Sequence, residues 1–155
     1  MSEAYLNRIA TAVPAYDVHR FFLDFAASLL GGDNKRRSLF LRMAERAGIE
    51  HRFSCFEPGS DPEGQALDAA GVFRRGAFPG TGKRMAMYEA VAGALAAQAV
   101  ERLLGADERA AVSHLIVTSC TGFAAPGIDL DVIARAGLPG NVERTIVGFI
   151  AVIAA

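Results

Sequence analysis

The order of apolar segments in this sequence predicts an α/β layered fold with a mixed sheet. Three observations carry that expectation. Short apolar runs of strand character alternate with segments whose apolar residues recur at helical spacing. A long alanine-rich stretch, about Lys83 to Leu104, leaves little polar surface, as a helix packed between layers would. The last third reads strand, glycine-proline loop, short helix, proline-glycine turn, strand, and its strands are apolar throughout, as in parallel sheets covered on both faces.

The elements follow in order. Leu6–Val13 reads as a first strand ended by Pro14. Asp17 can cap a helix in which Phe21, Phe22, Phe25, Leu29 and Leu30 recur on one side. The run Gly31-Gly32-Asp33-Asn34 breaks it. A second helix is expected from about Arg36 to Ala47, with Leu39, Phe40, Met43 and Ala47 on one side and Gly48 as its stop. His51–Phe56 alternates polar and apolar residues and reads as a strand. Residues 57–82 are rich in Gly, Pro and Asp and form the longest irregular part; loops of that length usually serve a function. After the alanine-rich helix, Gly105 is a stop. His114–Ser119 is a buried strand, Asp129 caps a short helix ending near Gly137, and Thr145–Val152 is a further apolar strand. No internal repeat or domain linker is visible.

Bulk properties narrow the function classes. The 155 residues suffice for one domain with a real core, and 52% of them are hydrophobic. Sixteen basic residues against 17 acidic ones give a net charge of −1, so no basic face is strong enough to hold a nucleic-acid backbone. The single basic run, Lys35-Arg36-Arg37, reads as a solvated helix start. Cys55 and Cys120 have no Cys or His at ligand spacing, which argues against a zinc site. The N-terminal MSEAYLNRIATAV lacks the order of a secretory signal, and no run reaches the roughly 18 apolar residues of a membrane helix. A cytoplasmic protein with no membrane or nucleic-acid partner is expected. Cys55 reads as a small packing residue. His19, His51 and His114 read as structural.

Several blocks together resemble one family in order and spacing. They are the opening strand ending ATAVP, LFLRMAERAGIEHRF (Leu39–Phe53), RRGAFPGTGKRMAMYE (Arg74–Glu89), VTSCTGFAAPGIDLD and GLPGNVERTIVGF. The chain is similar in these blocks to type III polyketide synthases, the chalcone synthase-like family. The resemblance covers essentially the whole chain and about the first two-fifths of a family member. It implies a partial, N-terminal lobe of a thiolase-like layered fold over residues 1–155, in a family that usually forms homodimers. It also implies acyltransferase chemistry: an acyl group passes from coenzyme A to a cysteine and is extended with malonyl-CoA by decarboxylative condensation. That chemistry needs a thiolate, since the thiol is a poor nucleophile, and donors that stabilise the enolate.

By the same resemblance, Arg42 and Arg46 match basic positions near the coenzyme A phosphates, and a third such position is Leu39. Cys120 and Thr121 match positions along the acyl pocket. Ala125 and Pro126 match a loop that reaches across the dimer interface, where the family holds a cis peptide bond. The position of the catalytic cysteine is Val152, and none of the three histidines matches the family's catalytic one. The chain is therefore expected to bind coenzyme A thioesters as substrates, to hold no resident cofactor, and to be inactive alone. Its partners are expected to be acyl-CoA and malonyl-CoA, with a second copy or a missing C-terminal half. The alternative is a non-catalytic protein that binds coenzyme A thioesters or pairs with a synthase.

Overall fold

A computed structural model describes residues 3–120 and 122–148. They fall into two compact units, one formed by Val13–Gly80 and the other by the N-terminal segment to Ala12 together with the chain from Thr81 onward.

The Val13–Gly80 unit begins with β1 (Tyr16–Asp17), then α1 (His19–Leu29), α2 (Asn34–Arg46) and β2 (Phe53–Ser54). β1 and β2 pair antiparallel, Tyr16 opposite Ser54 and Asp17 opposite Phe53. The strand expected over His51–Phe56 shrinks to two residues because its partner is only two long: α1 starts immediately after Val18. Val18 occupies the cap position of α1 without a side-chain bond. Asp17 is one residue too early to cap it in the ordinary way. Its Oδ1 instead accepts from the backbone N–H of His19 at 3.3 Å and of Arg52 at 3.2 Å. Phe25 and Ala27 on α1 are buried, as the periodicity predicted for Phe25, whereas Leu29 is exposed.

α2 starts two residues earlier than expected, because the Asp33 carboxylate caps it by accepting from the N–H of Arg36 at 2.9 Å. Ala47 is its C-cap, and Gly48 follows at φ +61, the left-handed conformation that glycine adopts without a Cβ penalty. No residue of α2 is fully buried; Phe40 and Ala44 are half-buried, while Leu39 and Met43 are exposed. The long loop that follows is organised by Asp68. This buried carboxylate accepts from the N–H of Val72 at 2.9 Å and of Phe73 at 2.7 Å. Phe73 in turn meets Phe56 edge to face, ring centroids 5.1 Å apart.

The other unit contains α3 (Thr81–Leu103), α4 (Ala106–Ala110), β3 (His114–Ser119), α5 (Ile128–Ala136) and β4 (Glu143–Gly148). The alanine-rich helix is present as expected. α4 is new; five residues are too few to show a period, and Gly105 introduces it rather than simply ending α3. The Glu108 carboxylate of α4 accepts from the N–H of Gly105 at 2.9 Å. β3 and β4 pair parallel from His114 opposite Glu143 to Ser119 opposite Gly148. α5 joins them, its C-terminus closed by Gly137 at φ +64. Ala97 of α3 packs with Ala136 and Leu138, flanked by Val100, Val112, Leu115 and Ile133. Gly93 lets α3 approach α5: a Cβ there would run into the Asp131 carboxylate.

Leu6–Val13, expected as a strand, has no ladder partner among the described residues. Side chains take its place in holding the segment. Arg102 donates to the Thr11 carbonyl at 2.9 Å, and Arg8 pairs with Glu108 at 2.7 Å. The fold is α/β as expected, with antiparallel and parallel pairing both present, one in each of two small sheets.

Candidate functional site

In parallel α/β arrangements, ligands bind beyond the carboxyl ends of the strands. Beyond the ends of β3 and β4 lies a cavity of about 270 Å³ lined by Tyr88, Val117, Ser119, Phe123, Ile128 and Ile146, among others. Register explains the lining. Val117 lies opposite Ile146 and Ser119 opposite Gly148, so these side chains share the sheet face that turns toward the helices. The wall is apolar apart from the hydroxyl-bearing Tyr88 and Ser119, and no charged side chain lines it.

Two glycines make room for the cavity. Gly122 passes under the Tyr88 ring, where a Cβ would collide with three ring atoms. Its backbone is tied back to the end of β3: Ser119 Oγ accepts from Gly122 N–H at 3.2 Å and lies 3.1 Å from the Gly122 carbonyl. At Gly127 a Cβ would meet Asp129 Oδ1 and, at 2.8 Å, the tip of Ile146. Residues 122–127 can therefore pass tightly beside Tyr88 and Ile146 only with glycine at both positions.

Behind this loop sits a pair that the sequence reading missed. Asp129, expected as a helix cap, is instead the second residue of α5. Gly127 takes the cap position, and the Asp129 side chain is buried. Its Oδ2 accepts from Arg144 of β4 at 2.7 Å, and Oδ1 has no hydrogen-bond partner. A carboxylate is kept inside only when paired. The pair fixes β4 against the start of α5 and so fixes one wall of the cavity. A lone carboxylate near a helix start looks like a cap in sequence. Only the parallel register reveals that Arg144, 15 residues on, is its partner.

The expected site residues are placed as follows. Cys120 follows β3, a free and exposed thiol between Ser119 and the cavity-lining Gly122. Thr121 and Val152 lie outside the described residues. Ala125 and Pro126 are exposed in the turn before α5 and are joined by a cis peptide bond, as the resemblance implies. Arg42 and Arg46 are one helical turn apart on α2 and exposed, with no ion-pair partner among the described residues; Leu39 lies one turn earlier. These two arginines belong to the Val13–Gly80 unit and the cavity to the other. Tyr88, Ser119 and Ile146 were not singled out in sequence, although all three fall inside the quoted blocks.

No family model matches the chain, and no curated protein matches it in sequence. Solved structures do resemble it. The chain superposes on PKS-I from the brown alga Ectocarpus siliculosus with a TM-score of 0.66 at 24% identity, covering 91% of this chain and 38% of that one. It superposes on 1,3,6,8-tetrahydroxynaphthalene synthase from Streptomyces coelicolor, a bacterial type III polyketide synthase, with a TM-score of 0.68 at 21% identity, covering 94% and 38%. CsyB complexed with CoA-SH gives a TM-score of 0.63 at 21% identity, covering 90% and 35%. At these identities the likeness is one of fold. The chain has the α/β fold of a partial lobe of these proteins and spans little more than a third of their length.

Proposed function

We propose that the chain is the N-terminal lobe of a condensing enzyme of the type III polyketide synthase kind, and that it takes coenzyme A thioesters. The apolar cavity beyond β3 and β4 carries the proposal. It is walled by the same Ser119–Gly127 stretch that bears the family resemblance. At about 270 Å³ it lies just below the usual range of ligand pockets and suits a short acyl group. Burial of an acyl chain there is favourable at about 25 cal/mol per Å² of apolar surface. By the resemblance, Cys120 and Thr121 belong to the acyl pocket, and the Ala125–Pro126 turn is where a second copy would meet it. Arg42 and Arg46 would hold phosphate groups, for which the planar guanidinium fork is well suited.

Titration calorimetry tests this reading. Coenzyme A should bind weakly, and Arg42→Ala with Arg46→Ala should weaken it by about tenfold or more, the value of one charge-assisted hydrogen bond. A short acyl-CoA should bind more tightly than coenzyme A. Ile128→Trp, which fills the cavity, should remove that gain and leave coenzyme A binding unchanged. Equal affinity for the two ligands would remove the acyl pocket from the proposal.

A second reading, a non-catalytic thioester-binding or synthase-pairing protein, is favoured by Val152. Valine has no nucleophilic atom, and the resemblance sets it at the position of the cysteine. By the resemblance, none of the three histidines matches the family's catalytic one. His114 begins β3, at the end away from the cavity, and pairs with Glu143 at 3.1 Å. The 155-residue chain should form no polyketide from malonyl-CoA and an acyl-CoA. Val152→Cys alone should not restore activity, since a thiol with an ordinary pKa of about 8.5 is only a few per cent thiolate at pH 7. A condensation product from either protein, detected by mass spectrometry, would exclude the non-catalytic reading.

A further inference from the structure

A second cavity, of about 430 Å³, lies wholly within the Val13–Gly80 unit, where the end of α1, the start of α2 and the long loop meet. Its wall is polar and includes Ser28, Asn34, Arg37, Glu63 and Arg75. Arg75 is half-buried and held rigidly. It donates to the Gly64 carbonyl at 2.6 Å, the Pro62 carbonyl at 2.8 Å and Ser28 Oγ at 2.5 Å, and its guanidinium lies 4.4 Å from the centre of the Phe25 ring. Every one of these partners is neutral. No carboxylate lies within ion-pair distance among the described residues, and Glu63 lines the cavity without reaching it. Its contacts are three neutral acceptors and a ring face, so no anion among the described residues neutralises the charge of Arg75.

Arg37 adds a second guanidinium to the same wall, also without an acidic partner among the described residues. It is one of three cations, Lys35, Arg36 and Arg37, in the first turn of α2, which contains no acidic residue. The helix dipole disfavours positive charge at that end. Arg36 is answered by Asp33 at 3.2 Å; Lys35 and Arg37 have no such answer. The Gly31-Gly32 turn, with Gly32 at φ +98, adds backbone but no side chain to the lining.

We propose that this cleft binds the phosphate group of a small metabolite, held between the Arg37 and Arg75 guanidiniums with Asn34 as a neutral donor. The exposed Arg37 has its whole fork free to bind two phosphate oxygens, and Arg75, whose Nε and Nη2 are already engaged, adds a fixed charge and its Nη1 donors. The site is independent of Arg42 and Arg46: at 100° per residue, Arg46 lies about 180° around α2 from Arg37.

Inorganic phosphate is the probe, followed by the amide NMR signals of the full chain. The signals of Gly31, Gly32 and Asn34 should shift and saturate at millimolar phosphate. Arg37→Ala, which breaks no recorded contact, should weaken binding about ten- to a hundredfold. Arg75→Lys keeps the charge and loses the Nη1 donors, and should weaken it as well in a protein whose circular dichroism is unchanged. Arg42→Ala with Arg46→Ala should leave phosphate binding intact, so failure of the coenzyme A reading and failure of this one are told apart. Absence of saturable shifts up to about 20 mM phosphate, indifference to Arg37→Ala, or tighter binding of malonate than of phosphate would overturn the assignment.

Discussion

Both oxygens of the Asp17 carboxylate are engaged. Oδ1 accepts two backbone N–H groups, and Oδ2 lies 2.5 Å from Nδ1 of His51. The His51 hydrogen bond, with help from the two N–H groups, holds Asp17 below its ordinary 3.8. The same hydrogen bond and the carboxylate charge raise His51 above its ordinary 6.5. The signs set a window. The Asp17 contribution is present above 3.8 and is lost as the pH falls through its lowered value. The His51 contribution is complete below 6.5 and is lost as the pH rises through its raised value. The tie between β1 and β2 is therefore strongest between these limits. In an NMR titration the His51 ring should show a midpoint above 6.5 that falls toward it in Asp17→Asn. An unchanged midpoint would mean that the two side chains do not meet in solution. Sequence reading gives His51 a structural role, and its partner Asp17, 34 positions earlier, is hidden because a two-residue ladder leaves almost no pattern to read.

Among the elements, α3 and α5 show what a single missing side chain decides. Ala is the better helix former, so Gly93→Ala should by itself stabilise α3 by about 1 kcal/mol. The new Cβ would instead strike Asp131, whose Oδ1 is held by Arg135 at 2.8 Å. Overpacking of this kind costs about 1–3 kcal/mol, so the net effect should be destabilising. Removing the obstacle reverses the sign: Gly93→Ala combined with Asp131→Ala should be more stable than Asp131→Ala alone. Urea denaturation of the four proteins measures the coupling, and simple additivity would show that the helices do not touch there. The long helix was legible from its run of alanines and β3 from its short apolar run. α5 was legible for its Gly137 stop, but its start was misassigned, because Asp129 obeys a long-range ion pair rather than a local cap. The cavity was legible only as the Ser119–Gly127 stretch. That Tyr88 covers Gly122 depends on two segments 34 positions apart, which no local pattern encodes.

At the scale of the whole molecule, the parallel pair leaves apolar side chains uncovered. One face of β3–β4 turns Leu115 and Val117 toward the helices. The other presents Ile116 with Thr145 and Thr118 with Val147, as the register requires. On that outer face Ile116 is 66% exposed and Val147 is 39% exposed. Parallel strands are normally covered on both faces, and two strands alone are too few for an independent sheet. In the other unit α2 leaves Leu39 and Met43 in solvent, so apolar surface is open there too. The chain should accordingly self-associate and bind a hydrophobic dye, as contiguous apolar patches beyond a few hundred Å² do. The sheet face gives this expectation a location. Ile116→Lys with Val147→Lys adds charge on the outer face and leaves the cavity lining untouched. It should reduce both dye fluorescence and the apparent mass in light scattering. Leu39→Lys with Met43→Lys, on the other unit, serves as the comparison. A larger effect from the sheet variant would assign association to the open β3–β4 face. An equal or larger effect from the α2 variant would move it to the helix. A wild-type chain that is monomeric and indifferent to the dye would mean that these apolar side chains are already covered in solution.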